Sequence, residues 1–236
     1  MTPVPIVALD VASSDTALAI IATLGDSCRF YKVGSELFSA AGPAIVRQIS
    51  DTGAEVFLDL KFHDIPSTVG RAVRQAAALG VRLVTVHAAG GEQMLRAAVE
   101  AAGDETRCGV LAVTVLTSLD SGQVAAAWGR EAELSITTEV LRLAGMAQRA
   151  GAHGVVCGGT EAGDVRACYG DTLAILVPGI RLSGSRAHDQ ARVATPAEAA
   201  AAGARYVVVG RTVTEAPDPA EAMRRVGREL GAAPKS

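Results

Sequence analysis

The stretch EVFLDLKFHDIPST, residues 55–68, sets an apolar run against a burst of charge. Val56, Phe57, Leu58 and Leu60 suit a strand buried on both faces, as in a parallel sheet covered by helices. Two carboxylates, one ammonium and one imidazole then fall within the six residues from Asp59 to Asp64. Charges so close to a buried strand are costly unless they are paired or used. Pro66 suits the first turn of a helix and redirects the chain. The stretch therefore reads as a strand, a turn and a helix, with the polar groups at the strand's C-terminal end.

The same rhythm recurs along the chain. Apolar runs stand at PIVALDV (5–11), RFYKVG (29–34), EVFLDLK (55–61), RLVTVHA (82–88), GVLAVTVL (109–116), HGVVCGG (153–159), LAILVPG (173–179) and RYVVVG (205–210). Helical segments lie between them. SSDTALAIIATLGD carries Ser and Asp cap candidates and stops at Gly25. TPAEAAAAG offers Thr195 as N-cap, Pro196 at the first helical position and Gly203 as the stop. Eight strands alternating with helices in 236 residues predict a (β/α)8 barrel forming one domain over residues 1–236. An open doubly wound sheet is the alternative, but no GxGxxG turn follows the first strand.

Composition removes several functions. Net charge is −3 and aromatics are 3%, which argues against general affinity for nucleic acid or an anionic membrane. No apolar stretch is long enough to span a bilayer, and the N-terminus lacks a basic leader, so a cytoplasmic protein is expected. Cys28, Cys108, Cys157 and Cys168 form no CxxC pair and read as buried, reduced thiols. No HxxxH or cysteine cluster suggests a metal, and no GxSxG elbow suggests a serine nucleophile.

In such barrels the active site sits at the C-terminal ends of the strands. Those ends carry Asp10, Lys32, Asp59 with Lys61, His87, Thr117 with Ser118, Arg181 after Pro178–Gly179, and Gly210–Arg211. Asp59 and Lys61 are two apart and share a face, so Leu58 and Leu60 face the helices and the charges face inward. A structural ion pair is the plain alternative. Lys32 and Asp10 double the cluster, however, and four alternating charges in a closed mouth suit a preorganised electrostatic site. The loops PGIR and GRT follow strands 7 and 8, where barrels often bind phosphate, although a Gly-Arg turn can also be merely solvated. Between them LSGSRAHDQARVA forms a long polar loop in which Gln190 could donate to a phosphate.

At this point DLKFHDIPST resembles the signature of the orotidine 5′-phosphate decarboxylase family: Asp-x-Lys-x-x-Asp, then an apolar residue, Pro and Thr. ALDV, YKVGSELF, VHAAGG, VTVLTS, VPGIR, DQAR and VVGR follow the family's order, so the resemblance covers nearly the whole chain. Ser67 departs from the Asn of the common form. The resemblance implies decarboxylation of orotidine 5′-monophosphate to UMP and CO2, the last step of pyrimidine nucleotide synthesis, without cofactor or metal. It implies that Lys61 stabilises and protonates the carbanion, that Asp59 and Asp64 surround the reacting carboxylate, and that Lys32 completes the charge network. Asp10 and Lys32 would hold the ribose, Thr117 and Ser118 the pyrimidine, and Arg181, Gln190, Gly210 and Arg211 the phosphate. It also implies a homodimer in which Asp64 and Thr68 reach the partner's substrate.

Two rivals differ in their residues. Sugar-phosphate decarboxylases and hexulose-phosphate synthases share the Asp-x-Lys-x-x-Asp stretch but bind Mg2+, with an acidic residue at the end of strand 2. Here that position is Lys32, which repels a divalent ion. A non-catalytic phosphonucleotide-binding protein would keep Arg211 but lose Lys61 or an aspartate, and all are present.

Overall fold

The computed structural model of the chain describes residues 2–129, 135–182 and 194–231. Eight parallel strands close into a barrel in sequence order, with β8 pairing back onto β1. The first half runs β1 (Val4–Ala8), α1 (Ser14–Leu24), β2 (Phe30–Gly34), α2 (Ser35–Ala41), α3 (Ala44–Asp51), β3 (Glu55–Phe62), α4 (Pro66–Ala78), β4 (Leu83–His87) and α5 (Glu92–Ala102). The second half runs β5 (Gly109–Val113), α6 (Ser121–Trp128), α7 (Ile136–Arg149), β6 (Gly154–Val156), α8 (Gly159–Tyr169), β7 (Ala174–Val177), α9 (Pro196–Ala201), β8 (Tyr206–Val209), α10 (Arg211–Thr214) and α11 (Pro219–Gly231).

Local chemistry sets the helix ends. The Ser13 side chain accepts from the Thr16 N–H to cap α1, and Gly25 ends it at φ 49°. Thr195 and Glu198 form a reciprocal capping box on α9, with Pro196 in its first turn. No helix among the described residues is long and apolar enough to cross a membrane.

The two strand faces build two cores. Ile6, Phe30, Phe57, Leu83, Leu111, Leu176, Tyr206 and Val208 point into the barrel, where Tyr206 meets Phe30 edge-on. Val7, Tyr31, Val33, Leu58, Val84, Val86 and Val207 face the helices. Each such side chain, fully buried, contributes about 1.5–3 kcal/mol. Gly154 shows how tightly the barrel closes: a Cβ there would sit 2.0 Å from the Ala174 carbonyl oxygen.

Two expectations need correction. Cys28, Cys108 and Cys157 are buried as expected, with burial pushing the Cys108 thiol up to about 11, but Cys168 is exposed, because it lies on the outer side of α8 rather than beneath it. The run 109–116 is strand only to Val113. Thr114 turns its hydroxyl onto the Val156 carbonyl at 2.7 Å, and the chain leaves the sheet there.

Candidate active site

The strand ends open onto one cavity of about 710 Å³. Its apolar lining is the top of the barrel core: Ala8, Phe57, Val113, Val156, Leu176 and Val208. Above these stand Asp10, Lys32, Asp59, Lys61, Thr117, Arg181 and Arg211, with Gly179 and Gly210. An apolar cavity with a few convergent polar groups is the usual form of a small-molecule site.

Four charges alternate across β1, β2 and β3. Lys32 Nζ donates to Asp10 Oδ1 at 2.8 Å and lies 3.6 Å from Asp59 Oδ2. Lys61 Nζ donates to the same Asp59 oxygen at 2.8 Å. Lys32 and Asp59 expose only 11% and 12% of their side chains, whereas Lys61 exposes 37%, so of the two lysines that line the cavity Lys61 is the more open. Burial alone would push the Asp59 carboxyl up. The Lys32 ammonium first, then Lys61, with hydrogen bonds from Lys61 and Thr85, outweigh burial and hold it below the usual carboxylate range.

Gly34, the last residue of β2, leaves space for this row. A Cβ there would lie 3.0 Å from Lys32 Nζ and 3.2 Å from Asp10 Oδ1.

The inward placement of Asp59 and Lys61 follows the expected alternation with Phe57, but not through a regular strand. Leu58 pairs with Val84 and Phe62 with Val86, so β3 uses four residue steps against two on β4. Lys61 sits in this bulge at φ 50°, the only non-glycine residue at positive φ among those described. Left-handed backbone costs a residue with a Cβ about 1–2 kcal/mol, and bulges of this kind re-aim side chains beside active sites.

The other anticipated residues divide. Thr117, Arg181, Gly210 and Arg211 line the cavity. Gln190 lies outside the described residues. Ser118 is exposed and does not line the cavity, because the turn after β5 carries it outward. Asp64 and Thr68 also stand away from their own cavity. Asp64 is exposed and accepts from the Ile65 N–H, and Thr68 accepts from Arg71 at 3.3 Å.

Two contributions were not anticipated. Thr85, on the inner face of β4, bonds both Asp59 and the Lys61 backbone; its position two residues before His87 was the available signal. Thr16 and Ile20 of α1, with Thr214 and Glu215 of α10 and its end, complete the wall. His87, expected at the mouth, is not among the residues that line the cavity; its ring meets that of His63 with centroids 5.4 Å apart. Burial, then His63 and Lys61, lower the pKa of His87 below the ordinary histidine value. Among the described residues no three His, Cys, Asp or Glu side chains gather as a metal-binding group.

Residues 3–226 match the model of the Orotidine 5'-phosphate decarboxylase / HUMPS family. A Heliobacterium modesticaldum protein named orotidine 5'-phosphate decarboxylase is 46% identical over 231 residues, covering 95% of this chain and 94% of that protein. A protein of the same name from Anaeromyxobacter dehalogenans is 54% identical over 202 residues, covering 84% and 86%. The crystal structure of orotidine 5'-phosphate decarboxylase from Lactobacillus acidophilus superposes with a TM-score of 0.85 at 36% identity, covering 98% of this chain and all of that one.

Proposed function

The chain belongs to the orotidine 5′-phosphate decarboxylase / HUMPS family, and from that premise we infer that it is the decarboxylase, a carboxy-lyase that converts orotidine 5′-monophosphate to UMP and CO2 in pyrimidine biosynthesis. The observation that carries this reading over the metal-using branch is Lys32. Its ammonium lies between Asp10 and Asp59, where a magnesium enzyme needs an anionic ligand.

The chemistry follows from the charge row. Breaking the bond from C6 of the pyrimidine to the carboxylate leaves an electron pair in an sp2 orbital that ring resonance does not absorb. A fixed cation beside C6 lowers the energy of that carbanion as it forms, because its dipoles and charges are already oriented in a site of low polarity. Lys61 supplies the cation, then gives its proton to C6 and is reprotonated from water. Asp59 keeps the Lys61 amine charged and aimed, and it disfavours a second carboxylate nearby, so that loss of CO2 relieves repulsion. Lys32 offsets the charge of Asp59 and, with Asp10, holds the ribose. Thr117 lies on the pyrimidine side. Neither metal nor cofactor enters the reaction so written.

The phosphate binds at the loops after β7 and β8, through Arg181, Gly210 and Arg211, with Gln190 from the intervening segment. That grip is remote from C6. Its binding energy organises the mouth around the reacting end, which a barrier reduction on the order of 20 kcal/mol requires. We further infer a cytoplasmic homodimer with shared sites. Its support is that Asp64 and Thr68 are not among the residues lining their own cavity and stand in one segment with Ile65, which is 64% exposed.

The test is release of CO2 from carboxyl-labelled orotidine 5′-monophosphate with and without EDTA. Turnover unchanged by EDTA is expected. Turnover that needs added Mg2+ would move the chain to the other branch, and binding of UMP without CO2 release would make it a binding protein.

A further inference from the structure

Thr85 occupies the middle of β4 and is fully buried. Its hydroxyl has one hydrogen to donate and lone pairs to accept. It donates to Asp59 Oδ1 at 3.0 Å and accepts from the Lys61 backbone N–H at 2.9 Å. Lys61 in turn bonds the other Asp59 oxygen through Nζ at 2.8 Å. These contacts close a ring: Lys61 backbone, Thr85 hydroxyl, Asp59 carboxylate, Lys61 ammonium.

The ring sits where β3 leaves its register with β4. In a regular parallel ladder the Lys61 N–H would find a backbone carbonyl on a neighbouring strand. In the bulge it finds a side chain instead, while the backbone is held at φ 50°. A residue with a long side chain holds that conformation only where its surroundings over-determine it. Thr85 also fixes which Asp59 oxygen remains for the two ammonium groups.

We propose that Thr85 is a positioning residue of the decarboxylation site: its hydroxyl pins the Lys61 backbone in the bulge and orients the Asp59 carboxylate, so that the Lys61 ammonium is aimed before substrate arrives. This rests on the functional reading above. Thr85 does not itself line the cavity and reaches it only through Asp59 and Lys61, so its loss acts on the chemical step and leaves nucleotide binding nearly intact. A small misplacement of a reacting group is enough to lower turnover on the order of 100-fold.

The experiment compares Thr85→Val, Thr85→Ala and Thr85→Ser with the wild-type protein in CO2 release, UMP affinity and thermal unfolding, and follows the Lys61 ammonium by 15N NMR without substrate. Val keeps the shape and removes both hydrogen bonds; Ser keeps the hydroxyl. The expected result is kcat lowered about 100-fold in the Val and Ala variants, UMP affinity within about threefold, and both kcat and the Lys61 resonance returned toward wild type in Thr85→Ser. The inference is overturned if either apolar variant keeps kcat within about threefold, if kcat and UMP affinity fall together, if Ser rescues no better than Ala, or if neither apolar variant folds. Failure of the functional reading looks different: the wild-type protein releases no CO2, yet the Lys61 resonance still moves in Thr85→Val and returns in Thr85→Ser.

Discussion

Lys61 Nζ and Asp59 Oδ2 stand 2.8 Å apart, two residues from each other on one strand, and Lys32 approaches that same oxygen at 3.6 Å. One carboxylate thus serves two ammonium groups. The arrangement is stable because Asp10 takes a share of Lys32 and Thr85 takes the second Asp59 oxygen. Replacing Lys61 leaves Asp59 still paired with Lys32, so the fold should survive. We expect Lys61→Ala to lower turnover by at least about 1,000-fold, the combined scale of electrostatic and acid catalysis by one group. The far-ultraviolet circular dichroism should be unchanged. Turnover within about tenfold of wild type would remove Lys61 from the reaction.

Arg211 answers a different question, because it opens α10 just after β8, lines the cavity, and in the proposed function holds the phosphate rather than the reacting end. A charge-assisted hydrogen bond to phosphate contributes about 1.5–3 kcal/mol. Arg211→Ala should therefore weaken UMP binding about 10- to 100-fold, with a smaller loss in kcat. Calorimetry with UMP checks this, and an unchanged affinity takes Arg211 out of the grip.

Much of this arrangement was legible in the sequence, because a strand's alternation is local. Phe57, Asp59 and Lys61 could be assigned to one face by counting, and the polar strand ends could be collected into one mouth without knowing any pairing. What counting misses is set by the neighbouring strand. The bulge opposite β4 and the left-handed Lys61 depend on how Leu58 and Phe62 pair with Val84 and Val86. Thr85 looked like one more β-branched residue in RLVTVHA until its partners on β3 were known. The placement of Ser118 has a related cause: it stands on the exposed turn after β5, outside the cavity lining, where Thr114 bonds the Val156 carbonyl, a contact 42 residues away in sequence. The second helix after β2, α3, has a strongly one-sided pattern, with Ile45, Val46 and Ile49 buried, yet Gly42–Pro43 reads equally well as the end of helical structure.

The His87 imidazole gives a pH dependence of stability. Its folded pKa lies below the ordinary value of 6.5, through burial first and then through His63 and Lys61, with Asp59 opposing. Between the folded pKa and 6.5 the unfolded chain binds more protons at this position than the folded one. Stability must therefore fall as pH drops below 6.5 and level off below the folded pKa. His153 is shifted the same way by burial, so the chain should retain part of the slope when His87 is replaced. Urea unfolding at several pH values between about 7.5 and 5 should show a shallower loss in His87→Asn than in wild type. Equal slopes would mean that His87 titrates normally in the folded state.

The proposed shared site makes a prediction that neither mutant alone can test. Asp59 and Lys61 line their own cavity, while Asp64 is exposed beyond the end of β3, just before Pro66 starts α4. A two-fold axis would carry each such loop into the partner's site reciprocally. Lys61→Ala and Asp64→Ala should each be nearly inactive alone. In a mixed dimer, one site collects both defects and the other collects neither. Random reassociation of equal amounts makes about half the dimers mixed, and each has one intact site of two, so about a quarter of wild-type activity should return. Subunit exchange is verified separately, by pairing one tagged and one untagged chain. If exchange occurs and no activity returns, Asp64 acts within its own chain, and its exposed position must be closed by movement of the loop after β3 rather than by a second subunit.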